Sequence, residues 1–313
     1  MEIRDLKYLL AYIIPLFTLV SISIGGIFSF STVIIAFILI PVIELITKTD
    51  PVNLSESQIE NKITSKYFDF LLYANVIWVY GNLVYFGLVM QQDTHTKTEI
   101  LGMVLSMGIM FGSNGINVAH ELGHKSGFWP QTVAKLLLLP NLYMHFIIEH
   151  NYGHHLKVAT PEDPATSRYK ENIFSFWIRS VSMSIVSAWN IEINRLKKAN
   201  KPIWSFNNNM LLFTIIQFTY IVIIMIIFSP FTAMLLIFSG LIGVLLLESI
   251  NYIEHYGLVR RILPSGRYEK VETFHSWNSD HEAGRILLYE LTRHSDHHYK
   301  ASKKYQLLNH YDE

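Results

Sequence analysis

The 313-residue chain contains no cysteine. That excludes disulfides, thiolate nucleophiles and metal sites ligated by sulfur. Charge is scarce as well: 16% of residues are Asp, Glu, Lys or Arg, against about 25% in ordinary soluble proteins. The charges present cancel, 25 Lys+Arg against 25 Asp+Glu. Nothing in that balance argues for a nucleic-acid partner. The opening Met-Glu-Ile-Arg-Asp does not read as a signal peptide. The apolar stretch behind it is too long for a typical signal core, and no small-residue cleavage site follows. Internal repeats and low-complexity tracts are missing too. Apolar residues (half of the chain) and histidines (fourteen) are abundant instead. The first points to lipid as the solvent for part of the chain; the second carries the chemistry.

Six apolar stretches read as membrane-crossing helices, which need about 20 residues each: 6–28, 31–46, 67–90, 99–119, 210–228 and 231–252. Stretches one and two are joined by a short Gly-Ile-Phe-Ser-Phe turn, and five and six by the breaker Ser229-Pro230. A seventh run, 133–148, is shorter and interrupted by Pro140; it reads as a re-entrant or interfacial helix. With the N-terminus in the cytoplasm, six spans put 24 of the 25 cations on the cytoplasmic side and leave only Lys97 outside. Seven spans would divide the later cations across the bilayer. The expectation is a single all-α membrane domain over 1–313. A cytoplasmic cap, 117–208 and 253–313, completes it, with both termini cytoplasmic.

The histidines cluster at one membrane face. His120 and His124 stand four apart in His-Glu-Leu-Gly-His, on one face of a fourth helix that should run to about residue 124. About 26 residues of helix span ~39 Å, more than the ~30 Å hydrocarbon core, so the helix end projects out of the membrane. Glu149-His150-Asn151-Tyr152-Gly153-His154-His155 supplies His150, His154 and His155, and His294-Ser295-Asp296-His297-His298 supplies three more. His255 stands alone where the sixth helix ends. Neutral imidazole ligates iron, copper and zinc, and nine rings exceed what one ion can hold, so two metals are the economical reading. The adjacent pairs His154-His155 and His297-His298 point about 100° apart on a helix. Each pair can serve one metal per ring or cap one metal from two sides. His145 reads as a core residue, and His95 and His310 as surface residues.

Polar residues beside these rings are candidates to orient them. Glu248 sits inside the sixth helix, where an ionised carboxylate costs about 2.5–3.5 kcal/mol on insertion scales. It shares a face with His255, as does Asn251. Glu121, Glu149, Glu254 and Asp296 adjoin ligand candidates, and His275 and His281 lie between the sixth helix and the last cluster. For each, an ordinary structural role is the plain alternative.

On these motifs the chain resembles the membrane alkane monooxygenase family, integral-membrane di-iron hydroxylases related more distantly to membrane fatty-acid desaturases. The residues that carry the resemblance are His-Glu-Leu-Gly-His-Lys, Glu-His-Asn-Tyr-Gly-His-His, Asn-Tyr-Ile-Glu-His-Tyr-Gly-Leu and Arg-His-Ser-Asp-His-His, in family order. Residues 158–168, Trp204-Ser205-Phe206 and 275–279 fit as well, so the likeness runs from about Lys7 to Leu307. It implies six transmembrane helices in a bacterial inner membrane and two non-haem irons held by His120, His124, His150, His154, His155, His255, His294, His297 and His298. It further implies O₂ as co-substrate, electrons from a rubredoxin with its reductase, and oxidation of a terminal methyl group to a primary alcohol. The chain departs from the family at Thr292, where Gln is usual, and at Asp280, where Asn is usual. It also ends at Glu313, where typical members continue with a segment containing Pro, Gly and Tyr.

Three other readings compete. One is a desaturase or a hydroxylase of other lipids or alkylaromatics. Another takes His120-Glu121-Leu122-Gly123-His124 as the H-E-x-x-H of a zinc protease, with Glu121 as general base; it leaves seven clustered histidines unexplained. The last is a non-catalytic metal-binding relic.

Overall fold

The computed structural model describes residues 2–92 and 94–311. Among them there is no β-strand, only isolated bridges between Thr49 and His281 and between Ile262 and Tyr268. Six helices are long and apolar enough to cross a membrane: α1 (Ile3–Ile24), α2 (Gly26–Ile46), α4 (Lys66–Val89), α5 (Lys97–Gly123), α9 (Asn209–Ile227) and α10 (Pro230–Glu254). The short α3 (Glu56–Ile63) links α2 to α4. Between α5 and α9 lie α6 (Phe128–Leu138), α7 (146–157) and α8 (Ile173–Lys198), and α11 (Glu282–Leu287) and α12 (His294–Tyr299) follow α10. The expected spans all appear, with ends shifted by a few residues. The run 133–148 splits at Pro140 into the end of α6, a tight turn and the start of α7.

The breaks between helices follow from local chemistry. Gly25 turns α1 into α2 at φ 72°, a conformation glycine adopts without a Cβ penalty. The Thr96 hydroxyl caps α5, accepting from the Glu99 amide at 3.3 Å, while Glu99 takes the Thr96 amide at 2.8 Å. Ser229 caps α10 by accepting from Thr232 N at 3.0 Å, and Pro230 occupies the first turn.

The core runs along α5, the most buried span; 67% of its apolar window is inside, against 17% for α2 and α9. Helix α10 lies against α5 at backbone distance. A Cβ on Gly243 would sit 3.0 Å from Gly112 N and clash with Asn141 Oδ1, and one on Gly240 would sit 2.7 Å from Pro140 O. That approach places the C-terminal ends of α5 and α10 side by side.

Ion pairs tie the cap to the bundle. Asp5 and Lys62 form a fully buried pair between α1 and α3. Glu290 accepts from the Tyr8 hydroxyl and from Arg285, whose other amine reaches Asp50 at 3.0 Å. Helix α11 is held against α2 by Gly284 N donating to Glu44 Oε1 at 2.9 Å.

Candidate metal centre

Four segments deliver the nine histidines. Helix α5 continues past its apolar part and presents His120 and, at its C-cap, His124. The α10 C-cap is His255, and α12 carries the last three. In α7 the chain makes a π-helical turn over His150–His154, with His155 N donating back to the His150 carbonyl. The wider turn rotates residue i+5, rather than i+4, onto the face of residue i.

That turn sets His155, rather than His154, beside His150. His120, His124, His150, His155 and His297 form one group, and His154, His255, His294 and His298 form a second. Each adjacent pair is therefore split, one ring to each group. In the five-ring group, Nε2 atoms approach one another at 3.3 Å (120–124), 3.2 Å (124–150), 3.0 Å (150–155) and 3.2 Å (155–297). In the four-ring group the separations are 3.2 Å (154–298), 2.9 Å (298–294) and 3.2 Å (294–255). Two nitrogens ~2.1 Å from one ion, 90° to 109° apart, lie ~3.0–3.4 Å from each other. The spacing is thus that of ligands around a common ion. The groups are neighbours: the His155 and His298 ring centroids are 4.5 Å apart.

Electrostatics favour ligation. Burial and the neighbouring rings hold His150, His155, His294, His297 and His298 well below the ordinary imidazole value, His124 down to about 4 and His255 down to about 3. They are neutral, the form a metal needs. The buried Nδ1 atoms of His120, His294, His297 and His298 have no hydrogen-bond partner. His154 differs. Burial pushes it down, but the charge and hydrogen bond of Asp163 outweigh that and hold it above its ordinary value. Asp163 Oδ2 lies 2.9 Å from His154 Nδ1 and accepts from Thr166 Oγ1 at 2.6 Å. A proton fixed on Nδ1 leaves Nε2 free for a metal. Asp163 carries no mark of this role in the sequence beyond being a carboxylate in a proline-flanked loop; only its burial beside His154 reveals it.

The expected orienting residues are spread unevenly. Glu254 Oε2 is 3.3 Å from His294 Nε2. Glu248 accepts from Tyr143 at 3.0 Å, Ser180 at 2.5 Å and Asn251 at 3.4 Å, while His255 Nδ1 has Ser276 Oγ at 3.4 Å. Glu248 and Asn251 share the face expected of them yet bond within the bundle rather than to His255. Glu121 accepts from Tyr305 N at 3.4 Å and faces Lys125 at 3.6 Å. Glu149 accepts from Ser187 at 3.1 Å. Asp296 takes Lys303 at 2.5 Å and Asn309 N at 2.6 Å. His275 pairs with Glu269 at 3.3 Å, and buried His281 Nδ1 has no partner. Asp280 points to His310, 2.7 Å away. His145 lies outside both groups, 3.5 Å from Ser184 Oγ.

An apolar cavity of about 330 Å³ leads to the centre, at the lower end of the ~300–1,000 Å³ usual for ligand pockets. Ile14, Phe37, Ile109, Leu246 and Leu247 wall it, and His120, His150, His294 and Glu254 close its inner end. Two of its walls are π-helical turns, Ile35–Leu39 in α2 and Phe111–Ile116 in α5, contributing Ala36 and Phe37, Gly112 and Ser113.

Residues 98–311 match the family model for fatty acid desaturases. An alkane 1-monooxygenase of Alcanivorax borkumensis is 38% identical over 270 residues, covering 86% of this chain and 67% of that protein. The alkane 1-monooxygenase of Acinetobacter baylyi is 38% identical over 293 residues (93% and 71%), and a Pseudomonas aeruginosa alkane 1-monooxygenase is 36% identical over 280 (89% and 74%). The chain belongs to the alkane 1-monooxygenase family. For a member of this family the two histidine groups fit resident metal ions: the donors are convergent imidazole nitrogens at ligand spacing. A five-nitrogen group exceeds the four-coordinate preference of structural zinc.

Proposed function

We propose that this chain is an O₂-dependent hydroxylase that converts the terminal methyl of an alkane, or of a similar apolar chain, to a primary alcohol. The balance is R–CH₃ + O₂ + 2e⁻ + 2H⁺ → R–CH₂OH + H₂O. The observation that carries this reading is the junction of an apolar cavity with two all-nitrogen metal groups. His120, His124, His150, His155 and His297 hold one iron, and His154, His255, His294 and His298 hold the other. When bound, the irons supply O₂ activation and the redox chemistry.

The protein's own part is placement. The walls of α2, α5 and α10 take the carbon chain from lipid and exclude water, and they present one end of it to the rings at the cavity's inner end. Asp163 fixes the His154 tautomer. With no cysteine to hold a cluster and no flavin or haem motif, the chain needs two external electrons; a rubredoxin with its reductase is the proposed donor, docking on a cap that faces the cytoplasm.

The test is purified protein in lipid nanodiscs with reduced rubredoxin, octane and ¹⁸O₂. The expected product is 1-octanol carrying one ¹⁸O. The desaturase family match motivates a second reading, in which an alkene forms with no label in the organic product; that outcome overturns hydroxylation.

A further inference from the structure

Helix α8 buries one stripe, Phe176 to Leu196 at four-residue spacing. About 200° around the helix, offset by two residues, runs a second stripe: Phe174, Ile178, Ser182, Val186, Asn190 and Asn194. Its first half is mainly apolar and uncovered; Phe174, Ile178 and Val186 are 67%, 75% and 49% exposed. The helix then ends on cations. Arg179 pairs with Glu171 and Arg195 with Glu192, while Lys197, Lys198 and Lys201 enter no ion pair among the described residues. Beyond them Trp204 and Phe206 stand 82% and 85% exposed before α9 begins.

The height of α8 along the bundle is fixed near both of its ends. Near its start, Trp177 Nε1 donates to Ser249 Oγ on α10 at 3.2 Å. Near its end, Glu192 Oε1 accepts from Asn209 N, at the start of α9, at 2.6 Å. Helices α9 and α10 form a hairpin that turns at Phe228 and Ser229, so heights can be counted from that turn. Ser249 is 19 residues along α10 from Pro230, and Asn209 is 18 residues along α9 from Ile227. These distances are ~29 Å and ~27 Å of helix. The two contacts stand at one height, close to the ~30 Å thickness of the hydrocarbon core. Between them α8 runs 15 residues, ~22 Å. The helix therefore lies along the membrane plane at the edge of the hydrocarbon, and its uncovered apolar stripe is at lipid depth.

We propose that α8 and residues 199–206 form a lipid-binding surface that lies in the headgroup layer of the bilayer. Phe174, Ile178 and Val186 rest on acyl chains, Trp204 and Phe206 anchor the following segment, and Lys197, Lys198 and Lys201 meet the phosphates of anionic phospholipids. An in-plane helix with an apolar face and a basic end is the arrangement that binds such an interface, and aromatic rings favour the same layer. Free cations beside an apolar stripe complement a lipid that is negative above and apolar below. The surface stands apart from the metal centre and the apolar cavity, so it does not depend on which reaction the chain carries out.

The chain has no cysteine, so Ile178→Cys, Val186→Cys and, as a control on the exposed polar side of α3, Glu60→Cys each carry a single nitroxide. The test is spin-label accessibility in full-length protein held in nanodiscs of phosphatidylcholine and phosphatidylglycerol. Oxygen concentrates in hydrocarbon and a neutral nickel chelate stays in water. Labels at 178 and 186 should favour oxygen, at a depth of about 5–10 Å below the headgroups, and the label at 60 should favour nickel. Equal nickel access at all three sites overturns the proposal. So does dipolar broadening at 178 that vanishes on dilution with unlabelled protein, because a second copy then covers the stripe. Native mass spectrometry with added lipid tests the cations. The unmodified protein should hold phosphatidylglycerol more tightly than phosphatidylcholine. Lys197→Gln combined with Lys198→Gln should weaken phosphatidylglycerol by at least about fivefold, the scale of one lysine at an anionic surface, and leave phosphatidylcholine unchanged. No preference in the unmodified protein, or equal loss of both lipids in the variant, overturns the phosphate contact.

Discussion

Replacing Asp163 by Asn removes one negative charge from behind a single ring of the nine. Asp163 and His154 are both buried, and their 2.9 Å contact fixes a proton on Nδ1. A hydrogen bond to a charged group contributes ~1.5–3 kcal/mol. Losing the carboxylate behind a metal-bound imidazole lowers affinity roughly 10–100-fold, about 1.4–2.7 kcal/mol. The two scales agree. The Asn amide also has a geometric problem. If its NH₂ faces His154, the ring proton moves to Nε2 and that ligand is lost. If its oxygen faces His154, Ala165 N loses the acceptor it now has at 3.1 Å. The loss should be confined to one ion, because His154 belongs to the four-ring group. The assay is dialysis of iron-loaded protein against graded chelator, counting iron per chain at each step. Release should occur in two steps, with the first shifted to about 10–100-fold lower chelator in Asp163→Asn and the second unmoved. A shift of both steps together, or of neither, refutes the reasoning.

Other consequences are as direct. His150→Ala, His255→Ala and His298→Ala should each lose iron and turnover while the protein still inserts; turnover retained in any one removes that ring from the ligand set. Gly243→Ala forces α10 away from α5 and should cost about 1–3 kcal/mol, read by detergent unfolding. Gly81→Ala, where a Cβ meets nothing within 4 Å, is the control and should be neutral or stabilising by up to about 1 kcal/mol; equal destabilisation of the two would contradict the close packing. Asp5→Ala strands the Lys62 charge in the interior and should cost about 3–5 kcal/mol, with Lys62→Met recovering most of it in the double variant. A single variant that melts like the parent would contradict that buried pair.

The membrane-spanning helices were legible because lipid imposes length and hydropathy on each span. The nine histidines were legible as a set, since rings concentrated in a few short motifs have little else in common. Their division between two groups was not. For His154 and His155 it depends on a π turn in α7, where one extra residue per turn brings His155 beneath His150, and no residue pattern in Glu-His-Asn-Tyr-Gly-His-His announces it. Helix α8 was hidden for a different reason. Its buried stripe, Phe176, Ser180, Ser184, Ala188, Glu192 and Leu196, keeps a strict four-residue spacing, but half of it is polar, so the apolar period is muted. Glu248 and Asn251 show the limit of face-sharing arguments. Spacing places side chains on the same side of α10 as His255, while Ser180 on α8, Tyr143 ahead of α7 and Glu248 with Asn251 themselves make up their hydrogen bonds.

Metal analysis of the purified chain combined with X-ray absorption at the iron edge bears most directly on the claim that nine imidazoles form two iron sites. Two irons per chain, each in a shell dominated by nitrogen at about 2.0–2.2 Å, is the result this geometry predicts. Stoichiometric zinc, or one ion per fully loaded chain, would contradict it.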